Sequence, residues 1–219
     1  MMLDYNGVKI HWLGHDGFAI QGKENTVVID PFKVNKTFHA DLVLISHEHF
    51  DHLSKEDLKK FLTEGTEIIA PKICQKDLSS FKQKKTFVSP GDTIKRGSVE
   101  LRAVPAYNIN KFSQPGRVFH PKEDGRVGYI LKIDDVRIYH AGDTDNIPEI
   151  KGIKVDVALI PVSGTYVMTA EEGAEAVKSM DVKVAVPMHW ASIVGSREDA
   201  EKFKSILSSV CRVEILEPE

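Results

Sequence analysis

The segment His47-Glu48-His49-Phe50-Asp51-His52 gathers three histidines and an aspartate within six residues. Imidazole nitrogens and carboxylate oxygens are ligands for zinc and other first-row divalent ions. A lone histidine is more often packed or solvated than functional. A cluster this dense reads instead as a metal site. Alternation at a strand end sends His47 and His49 to one side, where they can meet the same ion. Asp51 and His52 lie past the turn and face a neighbouring position. Hydrolysis is the chemistry open to such a site, because a bound divalent ion lowers the pKa of its water to about 7. Asp51 is then placed to accept and orient the proton of that nucleophile.

Following a strand, His47-x-His49-x-Asp51-His52 resembles the signature of the metallo-β-lactamase superfamily. Further pieces stand in matching order. Asp30, in Val28-Ile29-Asp30-Pro31, is similar to the family's structural aspartate beneath the metals. Asp143, in His140-Ala141-Gly142-Asp143-Thr144, resembles its bridging aspartate, and His189, after Val186-Pro187-Met188, its last histidine ligand. Leu13-Gly14-His15-Asp16-Gly17-Phe18 resembles the branch holding ascorbate-phosphate lactonases and N-acyl-phosphatidylethanolamine phospholipase D. The resemblance covers nearly the whole chain. It implies an α/β fold, an αββα sandwich of two mixed β-sheets flanked by helices, with metals at the rim between the sheets. It also implies two divalent ions held by His47, His49, Asp51, His52, Asp143 and His189. Zinc is the first expectation, with Mn, Fe or Ni as alternatives.

One piece departs from the family's pattern. The third histidine of the first metal should follow the strand Val99 to Val104, but the chain reads Pro105-Ala106-Tyr107-Asn108 there. Asn108 stands about where the ligand is expected, and an amide oxygen is a poorer zinc ligand than imidazole. Three completions stay open. His120 folds back to replace the ligand, the first metal is held weakly by His47, His49 and Asp143 with water, or there is one tight metal at Asp51, His52, Asp143 and His189. The reading favoured is a two-metal site with a labile first position.

Other side chains take supporting parts. His15 reads as a pocket residue or a neighbour of the ligands, and His140 as a packed strand-end histidine able to orient Asp143. His11 and His39 have no chemical context. Tyr166 is either a hydrogen-bond donor to a developing oxyanion or a core tyrosine. The stretch from Tyr107 to Arg126 carries Lys111, Arg117, Lys122 and Arg126 against Glu123 and Asp124. Such a loop favours a small anionic substrate, with Lys111 and Arg117 as its contacts; the bland alternative is solvated charge. The function expected is hydrolysis of an ester, lactone or phosphodiester bond. The competing classes are a metal-binding or sensor protein without turnover, which the missing histidine keeps open, and a nuclease.

Strands must hold these residues. Val8 to Leu13, Phe18 to Gln21 and Thr26 to Ile29 read as an antiparallel meander, and Leu42 to Ile45 as a strand buried on both faces. Further strands are predicted at Glu67 to Ala70, Thr86 to Val88, Val99 to Val104, Gly128 to Ile133, Val136 to His140, Val155 to Pro161, Lys183 to Pro187 and Arg212 to Leu216. Helices are predicted over Ser54 to Leu62, over Ala170 to Met180 with Thr169 as N-cap, and over Arg197 to Ser208 capped by Ser196. Tyr107 to Arg126 has weak periodicity and reads as a long loop of the kind that serves function. No linker marks a boundary, so residues 1–219 are expected to form one domain.

Composition narrows the field. The chain has 219 residues, 42% hydrophobic and 28% charged, enough for a substantial core and without the signature of disorder. A formal net charge of −3 argues against a dedicated nucleic-acid binder. Cys74 and Cys211 match no metal spacing and suggest no disulfide framework. The N-terminus lacks the pattern of a signal peptide and no apolar run is long enough for a bilayer, so a cytoplasmic protein is expected.

Overall fold

A computed structural model describes residues 2–219. Its first sheet contains β1 (Leu3–Tyr5), β2 (Val8–Gly14), β3 (Gly17–Gln21), β4 (Thr26–Ile29), β5 (Leu42–Leu44), β6 (Glu67–Pro71) and β7 (Lys84–Val88), lying side by side in chain order. Pairing is antiparallel from β1 to β4 and parallel from β4 to β7. The second sheet contains β8 (Thr93–Arg96), β9 (Val99–Pro105), β12 (Val127–Ile133), β13 (Val136–His140), β14 (Lys154–Pro161), β15 (Asp181–Met188) and β16 (Arg212–Val213). It is likewise antiparallel over β8, β9, β12 and β13, and parallel from β13 to β16. Between β9 and β12, the short pair β10 (Phe112–Gln114) and β11 (Arg117–Val118) forms a separate hairpin.

Alternation explains the layering. Ile10, Phe18, Ile20, Ile29 and Leu44 pack against Leu101, Tyr129, Leu131, Ile138 and Leu159 in the main core between the sheets. The opposite faces of β4, β5 and β6 turn Val28, Val43, Ile45 and Ile68 outward, where α1 (Lys55–Lys59) and the turn after it cover them with Leu58 and Phe61. On the other side, α2 (Ala170–Lys178) and α3 (Arg197–Leu207) pack on β14 and β15. α2 carries a complete capping box, Thr169 with Glu172, and at the start of α3 the Asp199 carboxylate accepts from the Ser196 amide. The result is the expected αββα arrangement of two mixed sheets. The β12–β13 turn places Asp134 and Asp135 at φ 47° and 64°, as a two-residue turn of this hand requires.

Some elements differ from expectation. β1, β8, β10 and β11 were not expected from the sequence; all are short edge or hairpin strands with little apolar alternation. The first helix is shorter than predicted, because the chain leaves it at Lys60 to drop Phe61 into the outer core. No helix among the described residues is long and apolar enough to cross a membrane.

One ion pair clamps the two sheets at their edge. Arg96 on β8 donates from Nε and Nη2 to the two carboxylate oxygens of Glu67 on β6, each at 2.8 Å, while Thr86 and Lys84 donate to the same group at 2.6 and 2.9 Å. The Arg96 guanidinium foremost, with the other donors, holds the Glu67 carboxyl down at about 2. A depressed carboxyl stabilises the fold above its ordinary value of 4.5, and that contribution fades as pH falls toward 2. Glu67→Gln is therefore expected to cost about 1–3 kcal/mol near neutrality. Urea titrations of both proteins should show the gap closing between pH 4.5 and 2.

Candidate metal centre

The ends of β4, β5, β9, β13, β14 and β15 and the β2–β3 turn meet at one rim of the sandwich. Ligands at the carboxyl ends of parallel strands are usual for α/β proteins. Backbone geometry is unusual there: His15, Asp30, Tyr166 and His189 all adopt positive φ, from 42° to 68°. Such conformations persist only where surrounding structure imposes them, and they cluster at functional sites. Gly142 precedes Asp143 with φ 62°, and a Cβ there would lie 2.9 Å from the Val127 carbonyl oxygen. Only glycine lets the Asp143 loop lie this close to β12.

Three imidazoles converge on a first position. His47 Nε2 lies 3.0 Å from His49 Nδ1, and His120 Nε2 lies 3.4 Å from that same atom. Asp143 Oδ2 is 3.4 Å from His120 Nε2 and 3.9 Å from His47 Nε2. Ligand atoms bound about 2.0–2.1 Å from a tetrahedral ion are separated by about 3.3–3.4 Å, which is close to what is seen. Bare lone pairs do not otherwise gather in this way. At the second position, Asp143 Oδ1 is 3.3 Å from His52 Nε2 and 3.5 Å from His189 Nε2. These three atoms are buried and have no hydrogen-bond partner among the described residues.

The far side of four of these rings is already engaged. His47 Nδ1–H donates to Ser46 Oγ (3.0 Å), whose own proton goes to Asp30 Oδ2 (2.5 Å). His52 Nδ1–H donates to Asp30 Oδ2 (2.9 Å), and Asp30 Oδ1 accepts from the Ser46 amide (2.7 Å). His189 Nδ1–H donates to Ser163 Oγ (2.9 Å), and His120 Nδ1–H to Asn108 Oδ1 (2.7 Å). Each partner fixes the tautomer that leaves the inward nitrogen free to bind a metal. His140 does the same for the backbone. It accepts from the Gly142 amide (3.2 Å) and donates to the Asp16 carbonyl (2.8 Å), tying the Asp143 loop to the β2–β3 turn.

The electrostatics suit cation binding. Burial pushes His47 and His49 down and takes His120 to about 4, so all three are neutral, as metal ligands must be. Burial acts the same way on His52 and His189. The Asp143 carboxylate overcomes it at both, aided by Asp30 at His52 and by Asp16 at His189, and raises them. Burial would raise Asp143 itself, yet His52 and His189 hold it well below the usual range. Metal binding needs both imidazoles neutral and so competes with their protonation.

His120, from the basic loop, supplies the third imidazole, and Asn108 does not point into the site. Asn108 accepts from both the amide and the ring of His120, while its Nδ2 donates to Asp145 (3.1 Å) and to the Tyr166 carbonyl (2.9 Å). It orients the His120 ring and does not itself face the cluster, so three imidazoles gather at the first position. Asp51 sits at the edge, with Oδ2 accepting from His15 Nε2 at 3.1 Å and lying 4.0 Å from His52 Nε2. Burial works against its charge, but the His15 hydrogen bond holds Asp51 at about 2, while burial takes His15 to about 4. Asp16 went unassigned in the sequence, yet its side chain is fully buried among His15, His52 and His189.

The basic loop is largely neutralised. Lys111 pairs with Glu172 (2.7 Å) and Asp145 (3.7 Å), Lys122 with Glu149 (2.6 Å), and Arg126 with Glu48 and Asp124. Lys111 is thus not free to meet a substrate. Arg117 is exposed on β11 and forms no ion pair among the described residues. Tyr166 is not a core residue. It is 37% exposed at the rim, edge-on to Phe119. His11 packs between Gln21 and Glu219, and exposed His39 lies near Asp41. A surface cleft of about 440 Å³ with a lining of mixed charge, Lys132, Arg137, Lys154 and Lys183 beside Asp135, Asp156 and Asp181, opens at the opposite strand ends, away from the metal rim.

A family model described as the beta-lactamase superfamily domain matches residues 9–189. A UPF0173 metal-dependent hydrolase of Pyrococcus horikoshii is 32% identical, over 96% of this chain and 97% of its own. One of Thermoplasma acidophilum is 31% identical, over 93% and 92%. Among solved structures, a protein of Parabacteroides distasonis matches with a TM-score of 0.85 at 32% identity, over 100% of this chain and 98% of that one. Igni18, a metallo hydrolase of Ignicoccus hospitalis, matches at 0.76 and 25% identity, over 96% and 95%. The chain belongs to the metallo-β-lactamase superfamily, and its relatives place it among the metal-dependent hydrolases.

Proposed function

We propose that the protein is a two-metal hydrolase acting on an ester, lactone or phosphodiester bond of a small anionic substrate. One observation carries this reading: five imidazoles and both oxygens of Asp143 turn toward two adjacent positions, with four of the rings oriented by hydrogen-bonded partners. His47, His49 and His120 would hold the first ion and His52 and His189 the second, with Asp143 between them. Ions bound there, zinc foremost, lower the pKa of coordinated water to about 7 and polarise the attacked group.

The chain's own residues do the rest. Asp51 is ionised at neutral pH and borders solvent, so it is suited to accept the nucleophile's proton and hold its orientation. His15 keeps that carboxylate in place through its Nε2–H. Tyr166 stands at the mouth of the site as a donor to the developing oxyanion. Arg117, with its guanidinium uncommitted, is the loop residue suited to an anionic group. A non-catalytic metal binder drew its support from the missing third histidine, and His120 fills that gap. A nuclease would need a broad basic surface, whereas most of the loop's cations are spent on ion pairs.

The test is to strip the protein with a chelator, reload it with zinc, manganese, iron or nickel, and assay phosphodiester, lactone and thioester substrates. Turnover of at least one class that vanishes on stripping and returns with metal is expected. Full metal occupancy without hydrolysis of any class would overturn the proposal.

A further inference from the structure

The Asp16 side chain is fully buried, and neither carboxylate oxygen has a hydrogen-bond partner among the described residues. Apart from Asp143, whose Oδ1 turns to the same position, the buried aspartates Asp30 and Asp145 are satisfied. Asp30 takes three donors, and Asp145 takes two amides and a side-chain amide. An unpaired carboxylate removed from water is among the most costly things a fold can contain, and a counter-charge or a proton must answer it. Asp16 Oδ2 lies 3.5 Å from His52 Nε2, itself unpaired. His15, Asp16, His52 and His189 each offer a ligand atom within 4.8 Å of the others.

The turn that carries Asp16 is built to aim it inward. Its carbonyl is held by His140 Nε2, and the carbonyl of His15 accepts both the His189 amide (3.1 Å) and the Trp12 indole (2.9 Å). A Cβ at Gly17 would lie 3.0 Å from the Gly14 carbonyl oxygen and 3.2 Å from that of Asp30, so the turn is pressed onto the metal rim. Asp51 Oδ2 accepts from His15 Nε2 and lies 4.0 Å from His52 Nε2, farther than Asp16 Oδ2 at 3.5 Å.

We propose that Asp16 is a ligand of the second metal position, completing a set with His52, His189 and Asp143 Oδ1. This rests on the two-metal reading and adds to it a residue that the His47–His52 signature does not contain. It also gives the positions different character. The first has three imidazoles and one carboxylate, and the second has two of each, a harder set that suits manganese or iron(II) better than the first does.

The competing explanation is that Asp16 is a neutral acid donating a hydrogen bond to Asp143. Asparagine discriminates, because its amide can make that same donation but is a far weaker metal ligand. Wild-type protein and Asp16→Asn would be loaded with zinc, desalted, analysed for metal per chain and titrated with a competing chelator. Two zincs are expected in the wild type and one in the variant, with second-position affinity down at least tenfold and the metal-induced rise in Tm reduced. His52→Ala should show the same loss. Asp16→Ser, which removes the carboxylate without adding bulk, serves in place of a variant that does not fold. A variant holding two zincs with unchanged chelator competition would overturn the assignment of Asp16 alone. A wild type that binds no zinc would overturn the two-metal reading beneath it.

Discussion

Asp143→Ala is expected to lose both metals together, because each oxygen of that carboxylate faces a different position. Removing even an outer partner of a metal ligand costs 10–100-fold in affinity, so a shared ligand should cost at least about 100-fold at each position. Hydrolysis should fall to the level of chelator-stripped protein. The fold should survive, since the loop is anchored beside Asp143 by Thr144, whose Oγ1 accepts from the Tyr107 amide and donates to its carbonyl. Metal analysis paired with far-UV circular dichroism checks this. Loss of one metal with full retention of the other would show that Asp143 does not bridge.

The largest effect on stability is expected at Asp30. Its buried carboxylate receives the Ser46 amide, the Ser46 hydroxyl and the His52 ring. Alanine would leave all three donors without an acceptor in a site closed to water, at a cost of about 3–5 kcal/mol. That exceeds the cost expected at Glu67, whose clamp lies at the sandwich edge where water can replace it. Because Asp30 orients His52 directly and His47 through Ser46, metal affinity should also drop about 10–100-fold. Urea unfolding of the metal-free protein isolates the first effect, and zinc competition measures the second. An unfolding midpoint unchanged from wild type would show that Asp30 does not support the rim.

What could be read from the residues follows from how local each signal is. His47, His49 and His52 lie within one strand-to-helix turn, so their spacing alone announces a site. His120 was visible only as one of three completions, because it stands 71 residues from His49 and is brought back by the fold of its loop. That loop has no periodicity to read. It is held by Asp145, which takes the amides of Ile109 and Asn110, and by Asn108 reaching to the Tyr166 carbonyl. The same distance hid the fate of the basic residues. Lys111, Lys122 and Arg126 look like free charge until Glu172, Glu149 and Glu48 arrive from other elements. Asp16 was legible as part of a motif but not as an inward carboxylate, since an aspartate between glycines in a turn ordinarily faces water. The apolar strands were legible because burial on one or both faces writes a pattern. The polar edge strands β1, β8, β10 and β11 write none.

Two adjacent ion positions sharing Asp143 would be seen in the anomalous scattering of a crystal of the zinc-loaded protein. Two peaks are expected, one among His47, His49 and His120 and the other between His52 and His189, with Asp143 touching both. A single peak, or peaks away from these residues, would contradict that arrangement.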